Sequence, residues 1–395
     1  MTDNVYWIWF QLVFGVGSRR SELMMNFFDN PKMIFDGIGT GKRIAQMLLP
    51  QEIEAAKTAM EQAKVIEART LKKKCAIITP DSEAYPDLLK DIFSKPAVLY
   101  VKGDLSCLEK RLSIAMVGSR KPSEYGLKAA YKLSFSLAQY GAVIVSGLAN
   151  GIDAECHRAA VEAGSQTIGI LGCGIDIDYP LKSAELKRAI SENGAVVTEY
   201  PLGYEPRPFN FPVRNRIISG MSHGVVVVEA GISSGSLITV DHALEQGRDV
   251  FAVPGDIFDE GHEGANKLIK DGAKLAAGHM DILEEYSHII EKGKAKSKAP
   301  KIFEYENKPV SKKKNAEKPK PKAKPAPEII RKAVPSEISG NAKTVYGKIE
   351  AEPALVESIA AWTGMEIKDI LVSLTELEIY GLIQIYPGRK FGLKQ

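Results

Sequence analysis

The segment LSIAMVGSRKPSEYG, residues 112–126, decides how this chain folds. Leu112 to Val117 is a short, near-continuous apolar run, interrupted only by Ser113, that passes directly into a loop of glycine, serine and basic residues. A run of that length without polar alternation reads as a strand buried on both faces. The unit recurs downstream as AVIVS (142–146), TIGIL (167–171), AVVTE (195–199), GVVVVE (224–229) and DVFAV (249–253), with amphipathic helical stretches between. Strand, loop and helix in alternation predict an α/β fold: an open, mostly parallel sheet with helices on both faces.

In such sheets ligands bind outside the carboxyl ends of the strands, so the loops after each run carry the functional reading. They are GSRKPSEYG (118–126), SGLANGID (146–153), GCGIDIDYPLK (172–182), EYPLGYEPRPFNFPVRNR (199–216), EAGISSGSLIT (229–239) and PGD (254–256). Glycine lets a phosphate approach the backbone, and each helix start offers free N–H donors. The candidate ligands are Gly118, Ser119, Arg120, Lys121, Lys182, Arg207, Phe211, Arg214, Asn215 and Arg216, with Ser234, Gly235, Ser236 and Thr239 as a second phosphate-friendly loop. Arg214 and Arg216 would point apart on a helix, so one faces the ligand and the other the protein; the sequence does not say which. Tyr179, Tyr200, Tyr204, Phe209 and Phe211 lie among these basic residues. Lys and Arg track phosphates while flat rings accept unstacked bases, a combination suited to single strands.

Several chemistries are disfavoured. The first loop lacks the GxGxxG spacing of a dinucleotide site, and no GxxxxGK[ST] occurs, so neither a dehydrogenase nor a P-loop ATPase is supported. His157, His223, His242, His262 and His279 match no metal spacing and read as structural. Glu229 has the chemistry of a general base, but pairing with Arg216 or capping the adjacent loop fits its place better. No catalytic residue, cofactor or metal is expected.

The flanks differ in character. Residues 1–70 read as helical, with Gly-x-Gly punctuations in LVFGVGSRR and IFDGIGTGKRIAQML. Either these are helix-hairpin-helix turns, with Gly17 and Gly39 as secondary DNA contacts beside Arg19, Arg20, Lys42 and Arg43, or the glycines only make tight turns in a helical bundle. A connecting stretch (78–104) leads to the main domain, placed at 77–290. Residues 291–336 are rich in Lys, Pro and Ala and predict an extended tether. From Lys292 to Pro327 there are 13 Lys against 3 Glu, a local +10 in a chain of net +3, so the remainder carries about −7. DNA binding by the folded parts must therefore come from a local patch.

Residues 337–395 give three helical patterns and a hairpin turn at Pro387-Gly388, the outline of a winged helix. Its recognition helix, MEIKDILVSLTELE (365–378), holds one Lys against three Glu and one Asp, and Ile367, Ile370, Leu371, Leu374 and Leu377 fit one buried stripe. A protein-contacting or weakly DNA-contacting role suits this better than groove reading. No run of eighteen apolar residues occurs, the N-terminus has no basic cluster, and the four cysteines form no CxxC pair. A cytoplasmic protein without membrane contact, disulfide framework or zinc site is expected.

Taken in order, VGSRKPSEYG, SGLANGIDAECH, LGCGIDIDYP, FPVRNRIISGMS, SSGSLITVDHALEQGRDVFAVPG and GANKLIKDGA closely resemble the DprA/Smf family of DNA-processing proteins, over roughly residues 77–280. The resemblance implies an extended Rossmann-like domain that binds single-stranded DNA, protects incoming DNA and helps load the RecA recombinase in natural transformation. It also implies an N-terminal SAM-like or helix-hairpin-helix module, a C-terminal winged helix and a homodimer formed through the later part of the main domain. By motif, Arg120 becomes the central phosphate ligand, Lys182 and Arg207 its basic companions, and Gly118 and Ser119 supply further donors. Where the family has an asparagine soon after YP, this chain has LKSAEL. The rival from another class is a nucleotide-cleaving phosphoribohydrolase on the same sheet type. Such enzymes resemble one another in a PGGxGTxxE signature that SSGSLITVDHA lacks.

Overall fold

Ser113–Val117 is the third strand (β3) of a nine-stranded sheet in a computed structural model that describes residues 2–40, 42–290, 335, 338–349, 354–380, 382–386 and 390–393. The others are β1 (Ala76–Ile78), β2 (Leu99–Gly103), β4 (Val143–Ser146), β5 (Thr167–Leu171), β6 (Ala195–Thr198), β7 (Gly224–Val227), β8 (Asp249–Ala252) and β9 (Lys274–Leu275). Their order is β1-β2-β6-β5-β4-β3-β7-β8-β9; β1 and β2 are antiparallel and every pair from β6 to β9 is parallel. All six runs read from the sequence are strands. The stretch at 78–104 is more than a connector, because its Leu-Tyr-Val-Lys-Gly run forms β2 and pairs antiparallel with β6.

Period-two alternation divides the apolar strands between two cores. Ala115, Val117, Val143, Val145, Val225 and Val227 join one layer, whereas Ile114, Met116, Ile144, Val226 and Val228 join the other. Full burial of each Val, Ile or Met side chain stabilises by about 1.5–3 kcal/mol, which is why these strands are apolar on both faces.

The chain divides into two compact units, Met1–Glu306 and Asn307–Gln395. In the first, the N-terminal helices pack against the sheet. Asp3–Phe14 lies along Pro50–Lys72, and Trp9, Phe10 and Ile34 share a core with Val98 and Tyr100 of the β2 region. Gly39 lies within the Pro31–Thr40 helix, not in a turn between helices as expected. A helix tolerates glycine near its end, at a cost of about 1 kcal/mol relative to alanine.

In the second unit, Gly340–Lys348, Val356–Thr363 and Ile367–Ile379 pack with the antiparallel pair β10 (Ile383–Tyr386) and β11 (Lys390–Leu393), the outline of a winged helix. Ile370, Leu374 and Leu377 are buried, but Ile367 is 51% and Leu371 46% exposed, which corrects the five-residue stripe. At 100° per residue, the buried arc runs from Ser373 to Leu374 and centres between Leu377 and Ile370, so position 367 falls just beyond its Leu374 edge and 371 further round. The tether at 291–336, Pro335 aside, and the turn at Pro387-Gly388 lie outside the described residues.

Candidate nucleic-acid interface

The carboxyl ends of β3, β4 and β5 surround a small open cleft of about 40 Å³. Arg120 enters from the loop after β3, Gly147 to Asn150 from the loop after β4, and Gly172, Cys173, Tyr179 and Pro180 from the loop after β5. Phe211 and Arg214 close it from the Asn210–Gly220 helix that leads into β7. Parallel pairing sets these loops side by side, and helix packing brings in the last two side chains.

The cleft is a cation–aromatic stack. The Arg120 guanidinium lies 5.4 Å from the Phe211 ring centroid and that of Arg214 lies 5.9 Å from it, while Tyr179 and Phe211 are 5.4 Å apart at 33°. Arg120 is exposed and makes no ion pair among the described residues. Arg214 is 4% exposed; its Nη1 donates to Gly147 O at 2.7 Å and to Ile170 O, and its Nε has no protein acceptor. Burial, reinforced by Arg120, lowers its pKa to about 10, so it stays cationic at neutral pH. Asp153 offsets this charge from below. Burial raises its pKa, opposed by Arg214 and by the N–H groups of Ala149 and Gly147, which donate to its Oδ2 at 3.4 and 3.1 Å.

The loop after β4 approaches the Arg120 loop closely. A Cβ on Gly151, whose φ is +85°, would stand 2.4 Å from Ser119 O, so only glycine fits. Sequence reasoning missed Leu148, Asn150, Cys173 and Asp153. Leu148 carries no sequence signal, yet it holds a left-handed φ of +55° while fully buried under the cleft. Asp153 was legible as the acid closing SGLANGID, two residues after a glycine at a helix start.

Other expected ligands lie elsewhere. Arg216 points into the protein, where its Nη2 donates to Glu199, and both side chains are buried. Of the two arginines, Arg214 therefore faces the cleft and Arg216 does not. Burial raises the Glu199 pKa, opposed by Arg216 and, least, by the Gly17 backbone, while Gln11 donates to the Glu199 carbonyl at 3.1 Å. The Gly17 turn packs against Val213 and Arg216 of the sheet domain, which corrects the secondary phosphate contact expected there. A Cβ on Gly17 would lie 2.7 Å from Val213 Cγ1, so this turn is built for packing. Arg20 is likewise engaged, paired with Glu52 at 2.8 Å.

Lys121 and Lys182 are exposed beside the cleft, and Arg207, also exposed, lies 5.5 Å over the Tyr204 ring; none lines it. Thr239 is buried within the Leu237–Glu245 helix and cannot reach a ligand. Ser234 and Ser236 hydrogen-bond each other at 2.7 Å, and Gly235 O accepts from Asn215 Nδ2 at 3.4 Å, outside the cleft lining. Glu229 does not meet Arg216; its carboxylate accepts the Ser123 N–H at 3.0 and 3.1 Å, the loop-capping arrangement.

The cleft holds little that could act as a nucleophile or base. Burial pushes the Cys173 thiol up to about 11, so it stays protonated. His157 is fully buried, its Nδ1 bonded to Thr167 Oγ1 at 2.7 Å, and burial lowers its pKa to about 3. Among the described residues no group of three or more His, Cys, Asp or Glu could hold a metal, and no helix is long and apolar enough to cross a membrane.

The model of the family "DNA recombination-mediator protein A" matches residues 76–287, and that of the "DprA winged helix domain" matches 319–389. Protein Smf of Synechocystis is 31% identical over 408 residues, covering 99% of this chain and 98% of the relative. DNA processing protein DprA of Bacillus subtilis is 45% identical over 204 residues, 52% of this chain and 69% of the relative. The X-ray structure of DprA from Streptococcus pneumoniae superposes with a TM-score of 0.61 at 35% identity, covering 72% of this chain and 98% of that one. Family model, full-length relative and superposable fold agree that this chain belongs to the DprA/Smf family of DNA-processing proteins.

Proposed function

We propose that the cleft binds single-stranded DNA, with Arg120 and Arg214 on backbone phosphates and Phe211 and Tyr179 stacking an unpaired base. The observation that carries this reading is the pair of guanidinium groups over one Phe211 ring in an open cleft. Rings of this kind accept any base, and the two cations held over Phe211 put phosphate donors beside it. Gly118, Ser119, Lys121, Lys182, Arg207 and Asn215 flank this centre as auxiliary contacts.

Membership of a recombination-mediator family supports the further step that the bound strand is protected and delivered to the RecA recombinase, in a cytoplasmic homodimer serving natural transformation. The protein acts as a binder, not an enzyme. A protonated Cys173 and a neutral, buried His157 favour this over a phosphoribohydrolase, and purified protein should release no free base from nucleoside monophosphates.

The test is competition of single-stranded against double-stranded DNA for the full chain across a salt series. The wild type should prefer single strands, and Arg120→Glu should lose at least about 100-fold in affinity, the consequence of replacing a charge-assisted contact by repulsion. Equal affinity for both forms, or an unaffected Arg120→Glu variant, would refute the reading.

A further inference from the structure

We propose that Glu229 is a positioning residue for DNA binding: it clamps both ends of the loop that carries Arg120. The inference rests on the reading of the cleft as a single-strand site. Glu229 is 2% exposed and lies at the end of β7, the strand beside β3. Its carbonyl accepts the Ser119 N–H at 2.8 Å, just before Arg120. Its carboxylate accepts Ser123 N–H at 3.0 and 3.1 Å, and Ser123 Oγ–H as well, just after the loop. One residue thus fixes the entry and exit of the short segment Ser119–Ser123, in which Arg120 directly follows the entry.

The surroundings are built to hold that carboxylate. Ser123 Oγ also accepts the Gly126 N–H at 3.0 Å, so one hydroxyl starts the Glu124–Gln139 helix and donates to the clamp. A Cβ on Gly126 would stand 2.2 Å from Glu229 Oε2, and one on Gly255 would stand 2.0 Å from His262 Cδ2. His262 backs the carboxylate, its Nε2 3.5 Å from Glu229 Oε2 and its Nδ1 3.3 Å from Asp259 Oδ2. The position where open α/β sheets commonly receive a ligand, between β3 and β7, is therefore filled by a protein carboxylate. Its hydrogen bonds orient the neighbouring loop across the cleft, with Arg120 over Phe211. Without the clamp, the loop pivots at Gly118 and Arg120 leaves the ring.

The experiment uses the full chain and measures affinity for a single-stranded oligonucleotide across a salt series, together with the thermal midpoint. Glu229→Gln keeps the size but removes the charge and one of the two acceptor oxygens that serve the Ser123 N–H and Oγ–H. It should weaken binding about 10-fold and flatten the slope of log K against log salt by about 0.7, one phosphate contact, as Arg120→Ala does. The double variant should bind within about 2-fold of Arg120→Ala alone, because both act through the same guanidinium. Ser123→Thr, which keeps the hydroxyl, should retain affinity, and Ser123→Ala should lose it.

A merely structural Glu229 would lower the thermal midpoint with the salt slope unchanged, or would add its loss to that of Arg120→Ala; either result overturns the clamp. If Glu229→Gln does not fold, Ser123→Ala carries the test, and an unchanged slope there overturns it equally. Arg120→Ala weakening binding while Glu229→Gln and Ser123→Ala do not would sink the clamp alone. An Arg120→Ala variant that binds normally would sink the single-strand reading, and the clamp's effect on affinity with it.

Discussion

Replacing Arg216 with methionine should destabilise the first unit most strongly at neutral pH and least in acid. Arg216 and Glu199 are 5% and 3% exposed, so the pair is shielded from solvent on both sides. Truncating one member of such a pair leaves an uncompensated buried charge, a loss of about 3–5 kcal/mol. For a unit of this size that lowers the thermal midpoint by roughly 6–20 °C.

The pH dependence follows from the direction of the Glu199 shift. Burial already raises its pKa above the ordinary carboxylate value with Arg216 present, and removing the opposing cation raises it further. The folded state then holds a proton that the unfolded chain has released, so stability falls as pH rises from the ordinary Glu range through the folded pKa. The difference between wild type and Arg216→Met should therefore be largest near pH 7 and shrink toward about pH 4.5. Denaturant titrations of both proteins at several pH values measure it. Adding Glu199→Leu should restore part of the loss, since a packed apolar pair leaves no charge stranded. A penalty under about 1 kcal/mol, or one that grows in acid, would refute the argument.

Phe211→Ala should weaken single-strand binding by about 1–3 kcal/mol, the usual worth of one base–aromatic stack, with the salt slope nearly unchanged because no cation is removed; fluorescence anisotropy across a salt series reads both quantities. In the winged-helix unit, Leu374→Ala should cost about 2–5 kcal/mol, whereas Ile367→Ser and Leu371→Ser should stay within about 0.5 kcal/mol. Chemical denaturation followed by circular dichroism separates them.

The parallel sheet was legible because each buried strand had to be apolar on both faces, and no other element gives short uniform runs at that spacing. The antiparallel edge was not, because Leu99–Gly103 is a single run with no crossover helix after it, and its pairing with β6 is a long-range contact. Within the site, Arg120 was legible from its loop and Phe211 from its place among arginines. The fate of Arg214 and Arg216 was not. Their side chains diverge on a helix, as the spacing requires, but which carboxylate meets which depends on where Glu199 and Asp153 end their own strand and begin their own helix. Gly17 misled for a related reason. A glycine turn with a free N–H looks alike whether it awaits a phosphate or a buried carboxylate of the same chain.

That substitution bears on how the cleft gains its charge. Outside the lysine-rich segment the chain is near −7, so at long range the folded parts repel DNA. Screening limits this repulsion to about 8–10 Å at physiological salt, and binding falls to contacts shorter than that. Arg216 and Arg20, which would otherwise spread positive potential over the surface, are paired with Glu199 and Glu52. Arg214 is held inside by two carbonyls with Asp153 beneath it, and Arg120 alone among the cleft's cations is exposed, unpaired and fixed over a ring. On the proposed reading such a cleft would select a strand whose bases are already splayed, because only then can a ring and a phosphate be met together. A duplex would offer its phosphates with the bases still stacked, and the acidic remainder of the chain would not attract it.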